Sequence, residues 1–350
     1  MNPTTKAFDT NHPDIQYDAA HPDHPRTAFG AMIAALARRR ANGTEPFTCQ
    51  SCDNLQGNGD ILRQTLVSLA RLSNPDLADW INRHCTFPNS MVDCIVPATS
   101  AKELQLVARF GIEDAAPVTH ENFRQWVIED DFCAGRPEWN KVGATFSDEV
   151  HKFEAMKIRI LNGGHQIIAN AGEILSLETI SECMEHPRVG ALFHKIALSE
   201  IAPLVKPVPK MTPKDYVALI RQRFSNPAIV DTVRRVAFDG SSRQTGFIIP
   251  TLRDALRTNA PVEGLALSQA IWARMCEGSR EDGSIIAPND PIWASLNAAA
   301  KAAKLNPRIW LEQKSLYGNL IDNTIFQDTF TDWILMIWRD GLETTIQTYL

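Results

Sequence analysis

The stretch SDEVHKFEAMKIRILNGGHQIIANAGEILS, from Ser147 to Ser176, marks a change in the pattern of the chain. From this stretch onward, long segments with the helical period dominate as far as residue 348. Before it, short apolar runs alternate with helical segments, a pattern that favours a parallel sheet with crossover helices. We therefore expect the fold class α/β plus all-α, with a partial parallel sheet in a domain at 1–144 and a mostly helical domain at 145–350.

Upstream of this stretch, the elements alternate in type. Apolar runs predict strands at 46–52, 86–96 and 124–129. Residues 1–25 contain three X-Pro pairs, which favour extended or turn conformations, so we expect this segment to be irregular. The turn Gly57-x-Gly59 follows the first predicted strand, but it lacks the third glycine of a dinucleotide-binding turn.

The bulk composition argues against several classes of protein. The 350 residues are 44% hydrophobic and 22% charged, and the net charge of −6 argues against a nucleic-acid partner, because phosphate binding needs a basic stripe. The longest intense apolar run, Trp333–Trp338, is too short to cross a bilayer, so we expect no membrane partner. Residues 1–20 lack a secretory h-region, and seven cysteines are an odd number, so we expect reduced thiols and a cytoplasmic location. The oligomeric state is left open.

Lys157 lies at an unusual position in the helical stretch. If Ser147–Ser176 is one α-helix at about 100° per residue, Lys157 falls at the centre of its apolar stripe, where a solvated lysine is not expected. Glu154, Asn162 and His165 fall on the same side. The opposite, polar side consists of Lys152, Arg159, Gln166 and Asn170. A desolvated lysine should have a lowered pKa and act as a general acid or base. The alternative is that Lys157 reaches water or pairs with Glu154.

Several motifs occur together with the one around Lys157. Gly163 and Gly164 lie between Asn162 and His165 and would permit the close approach of a ligand. The motifs are KIRILNGGH at 157–165, SCDNLQGNG at 51–59, FPNSMVDCIVP at 87–97, WVIEDD at 126–131 and DGS at 239–241. Together they resemble the long-chain mannitol dehydrogenase family, across nearly the whole chain. The resemblance implies a Rossmann-like sheet domain, a helical catalytic domain, and metal-independent hydride transfer between a polyol or ketose and NAD, with NADP as the alternative.

The resemblance also implies catalytic roles. Lys157 would be the general base in alcohol oxidation and the acid in ketone reduction. Asn54 and Asn162 would donate hydrogen bonds to the developing alkoxide, and His165 would orient substrate hydroxyls. The alternatives are that Asn54 stabilises the turn after the strand and that His165 is a satisfied core histidine.

Four further residues receive supporting roles from the resemblance. Asp93 would lie at the nicotinamide end of the cleft, and Glu154 would line the proton path from Lys157 to solvent. Arg235 and Arg243 would reach the polyol chain. The alternatives are a loop acid for Asp93 and a surface charge for Arg235. The family carries lysine where Arg243 stands, and a planar guanidinium is not a point-charge ammonium, so substrate preference is open.

The glycine-rich strand–turn–helix fingerprint of a dinucleotide site does not occur before residue 50. The family carries this fingerprint in a first βαβ half. We therefore expect that Met1 starts midway through the sheet domain and that the chain by itself binds NAD weakly and shows little dehydrogenase activity. No metal site is expected, because Cys49-x2-Cys52 has no second CxxC to complete a zinc site and is interpreted as two small thiols in a buried strand.

The first function hypothesis is the oxidation of mannitol to fructose with NAD. Two alternatives in the same family are a D-arabinitol dehydrogenase and a fructuronate reductase, for which Arg243 would supply the cation that a carboxylate needs. An alternative of another class is a non-catalytic, truncated remnant.

Overall fold

The computed structural model of the chain describes residues 8–350, whose contacts divide it into two compact units. Unit 1 comprises the described residues up to Ile95 together with Glu121–Glu154, and unit 2 comprises Val96–His120 together with Ala155–Leu350. The division into 1–144 and 145–350 stays a prediction. None of the helices in this described range combines the length and the apolar character needed to cross a membrane.

The described chain is rich in helices and contributes three strands to one sheet. In chain order, the first elements are α1 (Pro13–Ala20), α2 (Ala28–Ala41), α3 (Asn58–Ser73), α4 (Pro75–His84), β1 (Ser90–Asp93), α5 (Ala101–Arg109), β2 (Gln125–Ile128), β3 (Thr145–Phe146) and α6 (Val150–Met156). The later helices are α7 (Gly163–Ile174), α8 (Ile180–Glu185), α9 (Pro187–Ile196), α10 (Pro213–Phe224), α11 (Val233–Ala237), α12 (Gly240–Arg243), α13 (Ile249–Arg257), α14 (Glu263–Cys276), α15 (Trp293–Ala303), α16 (Arg308–Leu311), α17 (Lys314–Tyr317), α18 (Thr324–Asp340) and α19 (Leu342–Tyr349). Three π-helical segments are π1 (Lys157–Asn162), π2 (Ala197–Ile201) and π3 (Gln244–Ile248), and turns of 3₁₀ helix lie at Trp139–Val142, Ala202–Leu204 and Gly318–Asp322.

The sheet of unit 1 is small and mixed, with strand order β1-β2-β3. β2 and β3 are parallel, although β3 is not among the predicted strands, and β1 and β2 are antiparallel, with Met91 opposite Val127. The expectation of a purely parallel sheet is therefore wrong for β1. The chain re-enters unit 1 beside the point where it leaves, because Glu121 N donates to Ile95 O at 3.2 Å, and the next strand consequently runs in the opposite direction. The predicted class, a Rossmann-like α/β part followed by a mostly helical part, is confirmed.

The predicted strand at 46–52 is not formed, whereas the strands predicted at 86–96 and 124–129 are present as β1 and β2. The segment makes a single ladder-type bond, from Cys49 N to Thr86 O at 3.0 Å. The outer edge of β1 is occupied at Ser90 by the side-chain amide of Asn58, which donates to Ser90 O at 2.8 Å and accepts from Ser90 N at 2.9 Å. A side chain thus satisfies the peptide groups that a neighbouring strand would use.

Residues 1–25 were expected to be irregular, and this expectation is wrong for Pro13–Ala20, which form α1. His12 caps the helix by accepting from Asp14 N at 3.2 Å, and Pro13 occupies the first helical position. Proline suits that position, because its missing N–H would have no partner there in any case. Residues 1–7 lie outside the described part of the chain.

The core of unit 2 is built around α7. This helix packs against α8, α9, α11 and α14, and only His165 in it is partly exposed. Gly164 allows the ring of Phe193 to approach so closely that an added Cβ would lie 2.4 Å from it. At Gly163, an added Cβ would lie 3.3 Å from the side chain of Ile248. The two glycines were expected to admit a ligand, but here they admit neighbouring side chains.

The three π segments have two different origins. π2 and π3 are each followed within two residues by a proline, Pro203 and Pro250. A proline inside a helix removes a backbone donor and collides with the preceding turn, and a wider turn before it relieves both problems. π1 contains no proline, yet it contacts both π2 and π3. Its wide turn instead carries Lys157 and Asn162 at its two ends.

Candidate active site

π1 is the frame of the candidate site. Gly163 N donates to Ile158 O, five residues back, where an α-helix would bond four residues back. The prediction that Ser147–Ser176 forms one uniform α-helix is therefore wrong in its middle. A π turn holds one more residue than an α turn, so every position after it is rotated from its predicted place. Gln166 and Asn170, which were predicted on the polar side, are fully buried.

The side chains of Asn162, at the end of π1, and His165, in α7, each bury a polar atom that has no partner in the described structure. Asn162 is 6% exposed, and Lys157, at the other end of π1, is half-buried. The Asn162 Nδ2 amide group and the His165 Nε2 atom are both buried and make no hydrogen bond to any described residue. An unsatisfied buried polar group costs about 1–3 kcal/mol, so these two atoms, both on predicted site residues, have bonding capacity left for a ligand.

His165 lies in a cationic and aromatic environment. Its ring stacks on Phe224, with the centroids 4.2 Å apart and an interplanar angle of 16°. Burial and, in decreasing order, the positive charges of Arg235, Arg243, Arg223 and Lys157 together lower the pKa of His165 to about 3. The imidazole is therefore neutral at physiological pH and offers one donor and one acceptor nitrogen, which suits sugar hydroxyls.

The two predicted substrate arginines are held in different ways. Arg235 donates from Nε and Nη2 to the two oxygens of Asp231, at 2.7 and 2.5 Å. Arg243 is half-buried and donates from Nη1 to Val236 O at 2.8 Å. The buried amide of Gln166 donates to the same carbonyl at 3.0 Å. Burial and the charge of Arg235 both lower the pKa of Arg243 below its usual value.

The DGS motif sets the position of α12 and so of Arg243. Asp239 adopts a left-handed conformation, with φ of 57°, and Asp290 accepts from Ser241 N at 2.7 Å and Ser241 Oγ at 2.8 Å. Gly240 leaves room for the indole of Trp272, since an added Cβ would lie 2.7 Å from its nitrogen. The motif is thus a turn that directs a helix, and Asp239 meets Arg243 through its backbone, since Asp239 O accepts from Arg243 N at 3.1 Å.

Three of the predicted residues lie in unit 1. Asn54 is exposed in the bend before α3, and Asp93 is buried at the carboxyl end of β1. Glu154, 4% exposed, accepts from Gly57 N with both oxygens, at 3.2 and 3.4 Å. Their predicted roles stay predictions.

The turn at Gly57-x-Gly59 does not fit a phosphate. Gly57 N is taken by the carboxylate of Glu154, while Gly59 N and Asp60 N donate to Asn89 Oδ1 at 2.8 and 3.3 Å. A phosphate at a helix N-terminus needs free amides, and a carboxylate there repels it.

Sequence reasoning missed Phe224, Asp231 and Asp290. Asp231 had a usable signal, because it precedes Arg235 by four residues, the spacing of a helical ion pair. Phe224 and Asp290 had none, since they reach the site from distant parts of the chain. No group of three or more His, Cys, Asp or Glu residues that could hold a metal ion lies within residues 8–350. Of the CxxC pair, Cys49 is buried and Cys52 is exposed, so they do not form the predicted buried strand.

The charge state of His165 gives a testable prediction. Because its pKa is lowered from 6.5 to about 3 in the folded state, the unfolded chain binds a proton first as the pH falls. The stability that the neutral ring contributes is complete above pH 6.5 and is lost between pH 6.5 and 3. At pH 5 this loss should be about 2 kcal/mol.

His165→Gln should remove that part of the pH dependence, as measured by urea unfolding at pH 7.5 and 5. The control is His151→Gln, at an exposed histidine, which should leave the dependence unchanged. Equal acid sensitivity of His165→Gln and the unaltered protein would contradict a neutral His165.

Comparison with known proteins assigns the chain to a family. A family model for the mannitol dehydrogenase Rossmann domain matches residues 5–141, and one for the mannitol dehydrogenase C-terminal domain matches residues 149–338. A mannitol 2-dehydrogenase of Cereibacter sphaeroides is 48% identical over 98% of this chain and 72% of its own length. One of Aspergillus terreus is 40% identical over 100% of this chain and 71% of its own.

Solved structures agree. A Pseudomonas fluorescens mannitol 2-dehydrogenase, in a ternary complex with NAD and D-mannitol, superposes with a TM-score of 0.87 at 38% identity, over 97% of this chain and 70% of that one. A D-sorbitol dehydrogenase in substrate-free form gives the same TM-score at 31% identity and the same coverage. The chain belongs to the mannitol dehydrogenase family, which makes it an NAD-dependent polyol dehydrogenase.

Proposed function

We propose that the protein oxidises D-mannitol to fructose with NAD and catalyses the reverse reduction. The observation that carries this proposal is the buried, unpartnered Nδ2 of Asn162, five residues after Lys157 on a proline-free π segment. The mannitol 2-dehydrogenases with 48% and 40% identity and the structural neighbour bound to NAD and mannitol support the choice of polyol and cofactor.

Asn162 and Lys157 would act on the reacting hydroxyl. When the hydroxyl proton leaves, negative charge develops on the oxygen, and the Asn162 amide would donate to that oxygen from a preorganised, buried position. Lys157 would take the hydroxyl proton during oxidation and return it during reduction. Asn54 would add a second amide to the alkoxide. When bound, NAD supplies the nicotinamide that accepts hydride from the substrate carbon.

The other residues would bind and orient the substrate. The neutral ring of His165, which stacks on Phe224, would donate a hydrogen bond to, or accept one from, a hydroxyl next to the reacting carbon. Arg235 and Arg243 would reach the hydroxyls further along the chain. Asp93, buried at the end of β1, would face the nicotinamide end of the cleft.

The proton path requires a second group. Glu154 is buried, and its carboxylate is fixed by Gly57 N. It precedes Lys157 by three residues, and we propose that it passes the proton between the lysine and solvent. NADP stays an alternative to NAD, and the oligomeric state stays open. The absence of a nucleic-acid partner and of a membrane partner stay predictions, as does the cytoplasmic location, which the seven free cysteines support.

The Arg235–Asp231 pair bears on the alternatives within the family. A fructuronate reductase needs a cation for the substrate carboxylate, and here Arg235 is already neutralised by Asp231, whereas Arg243 donates to a neutral carbonyl. The neutralisation of Arg235 favours an uncharged substrate, whereas Arg243 keeps a charge that a carboxylate could use, so fructuronate stays an alternative. D-arabinitol is uncharged too and differs from mannitol in length, so nothing in the charge pattern separates those two.

The test is an assay of NADH formation with mannitol, D-arabinitol and sorbitol, and of NADH consumption with fructose and fructuronate. We expect the highest kcat/KM with mannitol and fructose, and no change after dialysis against EDTA, since the family reaction uses no metal. A rate lost to EDTA and restored by zinc would contradict the mechanism. Preference for fructuronate would replace the substrate assignment, and a folded protein with no turnover would favour the non-catalytic alternative.

A further inference from the structure

Asp231 is a buried carboxylate placed against a substrate arginine. It is 3% exposed and lies just before α11, in a segment fixed by its own peptide groups, since Asp231 N donates to Ile229 O at 3.0 Å and Asp231 O accepts from Ile180 N at 2.9 Å. Its two carboxylate oxygens accept from Nε and Nη2 of Arg235. One edge of the guanidinium is therefore fully used, and its plane is set by the carboxylate.

The surrounding charges are mostly positive. Lys157, Arg223, Arg235 and Arg243 all act on the ring of His165. Two carboxylates act on Arg243, those of Asp239 and Asp231. Of these two, Asp231 is the one bonded to Arg235. The negative charge of Asp231 therefore acts on both proposed substrate arginines, Arg235 and Arg243.

We propose that Asp231 sets the charge preference of the substrate pocket, favouring uncharged polyols over their carboxylated counterparts. The inference rests on the proposed function, in which Arg235 and Arg243 bind the polyol chain. A hydroxyl needs a donor in the right place and gains little from excess charge, whereas a carboxylate gains from each cation left without a counter-ion. Asp231 fixes the orientation of the Arg235 N–H groups and neutralises the charge of Arg235. It therefore supports the binding of a hydroxyl and weakens the binding of a carboxylate.

Asp231→Asn separates these two effects. The asparagine oxygen can still accept one bond from Arg235, so the guanidinium keeps much of its orientation while the pocket gains one positive charge. Arg235 has a side chain that is 43% exposed and therefore stays hydrated and charged without its partner. A matched pair of ligands is D-mannitol and D-mannonate, which carries a carboxylate in place of one terminal hydroxymethyl group.

The experiment measures the dissociation constants of both ligands by calorimetric titration, at low and high salt, for the unaltered protein and Asp231→Asn. We expect the variant to shift the ratio of the two constants about tenfold toward mannonate, as one added charge near the ligand predicts, and the shift to shrink in high salt. A purely structural role would weaken both ligands equally and would not respond to salt.

The control is Glu173→Gln. Glu173 is also a buried carboxylate of unit 2, bonded to Arg280 at 2.6 Å and 3.7 Å from Arg234, and neither arginine is among the four cations around His165. This variant should leave the ratio unchanged. If Asp231→Asn fails to gain affinity for mannonate relative to mannitol, the inference is overturned, whatever the unaltered protein does with mannitol and NAD. Failure of the proposed function appears separately, as a lack of mannitol oxidation by the unaltered protein.

Discussion

Replacing Lys157 by alanine should lower kcat for mannitol oxidation by ~10²-fold or more, the usual contribution of a positioned general acid or base. The side chain is half-buried at the first residue of π1, among the cations that act on His165. The measurement is steady-state turnover across the pH range, with NAD binding followed by titration.

The control for Lys157 is Lys152→Ala. Lys152 is also half-buried and precedes π1 on α6, but it pairs with Glu149. Its loss should leave kcat within a factor of about two, because a partly exposed ion pair contributes little. Turnover of Lys157→Ala close to that of the unaltered protein at every pH would end the assignment of this lysine as the base.

Asn162→Ala should cost on the order of 3 kcal/mol in the chemical step, or roughly 10²-fold in kcat, as for a lost oxyanion donor. The amide is buried, and its Nδ2 has no partner among the described residues, so its removal breaks no hydrogen bond of that nitrogen and should lower stability less than the loss of a bonded amide. Single-turnover kinetics with mannitol, together with thermal unfolding, measure both effects. Asn54→Ala is expected to have a loss of the same size.

Asn170→Ala is the matched control for Asn162. Asn170 is fully buried on α7, but its Nδ2 donates to Gln166 O at 2.8 Å. This variant should lose stability and keep the chemical rate. If Asn162→Ala instead raises KM with kcat intact, the amide binds substrate and product alike and does not stabilise the alkoxide.

Lys157 and Asn162 lie at the two ends of π1, which, unlike π2 and π3, is not followed by a proline. A π turn is less favourable than an α turn and persists where it is over-determined by its surroundings or serves a function. Around π1 the surroundings are π2 and π3, each of which is followed by a proline. The prolines thus widen the two neighbouring segments, and the active-site segment packs between helices that are already irregular.

The helical pattern alone singled out Lys157, with Asn162 and His165 on the same side, because a lysine on an apolar stripe is unusual. The roles of all three residues came from the resemblance and stay predictions. The sequence pattern was also sufficient for the fold class, since the change from alternating runs to continuous helical period near Ser147 follows directly from side-chain spacing. Arg235 and Arg243 came from the resemblance alone, and nothing in their local spacing separates a substrate arginine from a surface one.

Tertiary structure decided the features that depend on distant residues. The π turn at Lys157–Asn162 could not be predicted, because uniform helical geometry is the local optimum and only contacts with other helices shift it. The antiparallel pairing of β1 follows from where the chain returns at Glu121, which no strand pattern records. The neutral state of His165 and the counter-ion of Arg235 likewise depend on which charges the fold gathers, because electrostatic interactions act through space and not along the chain.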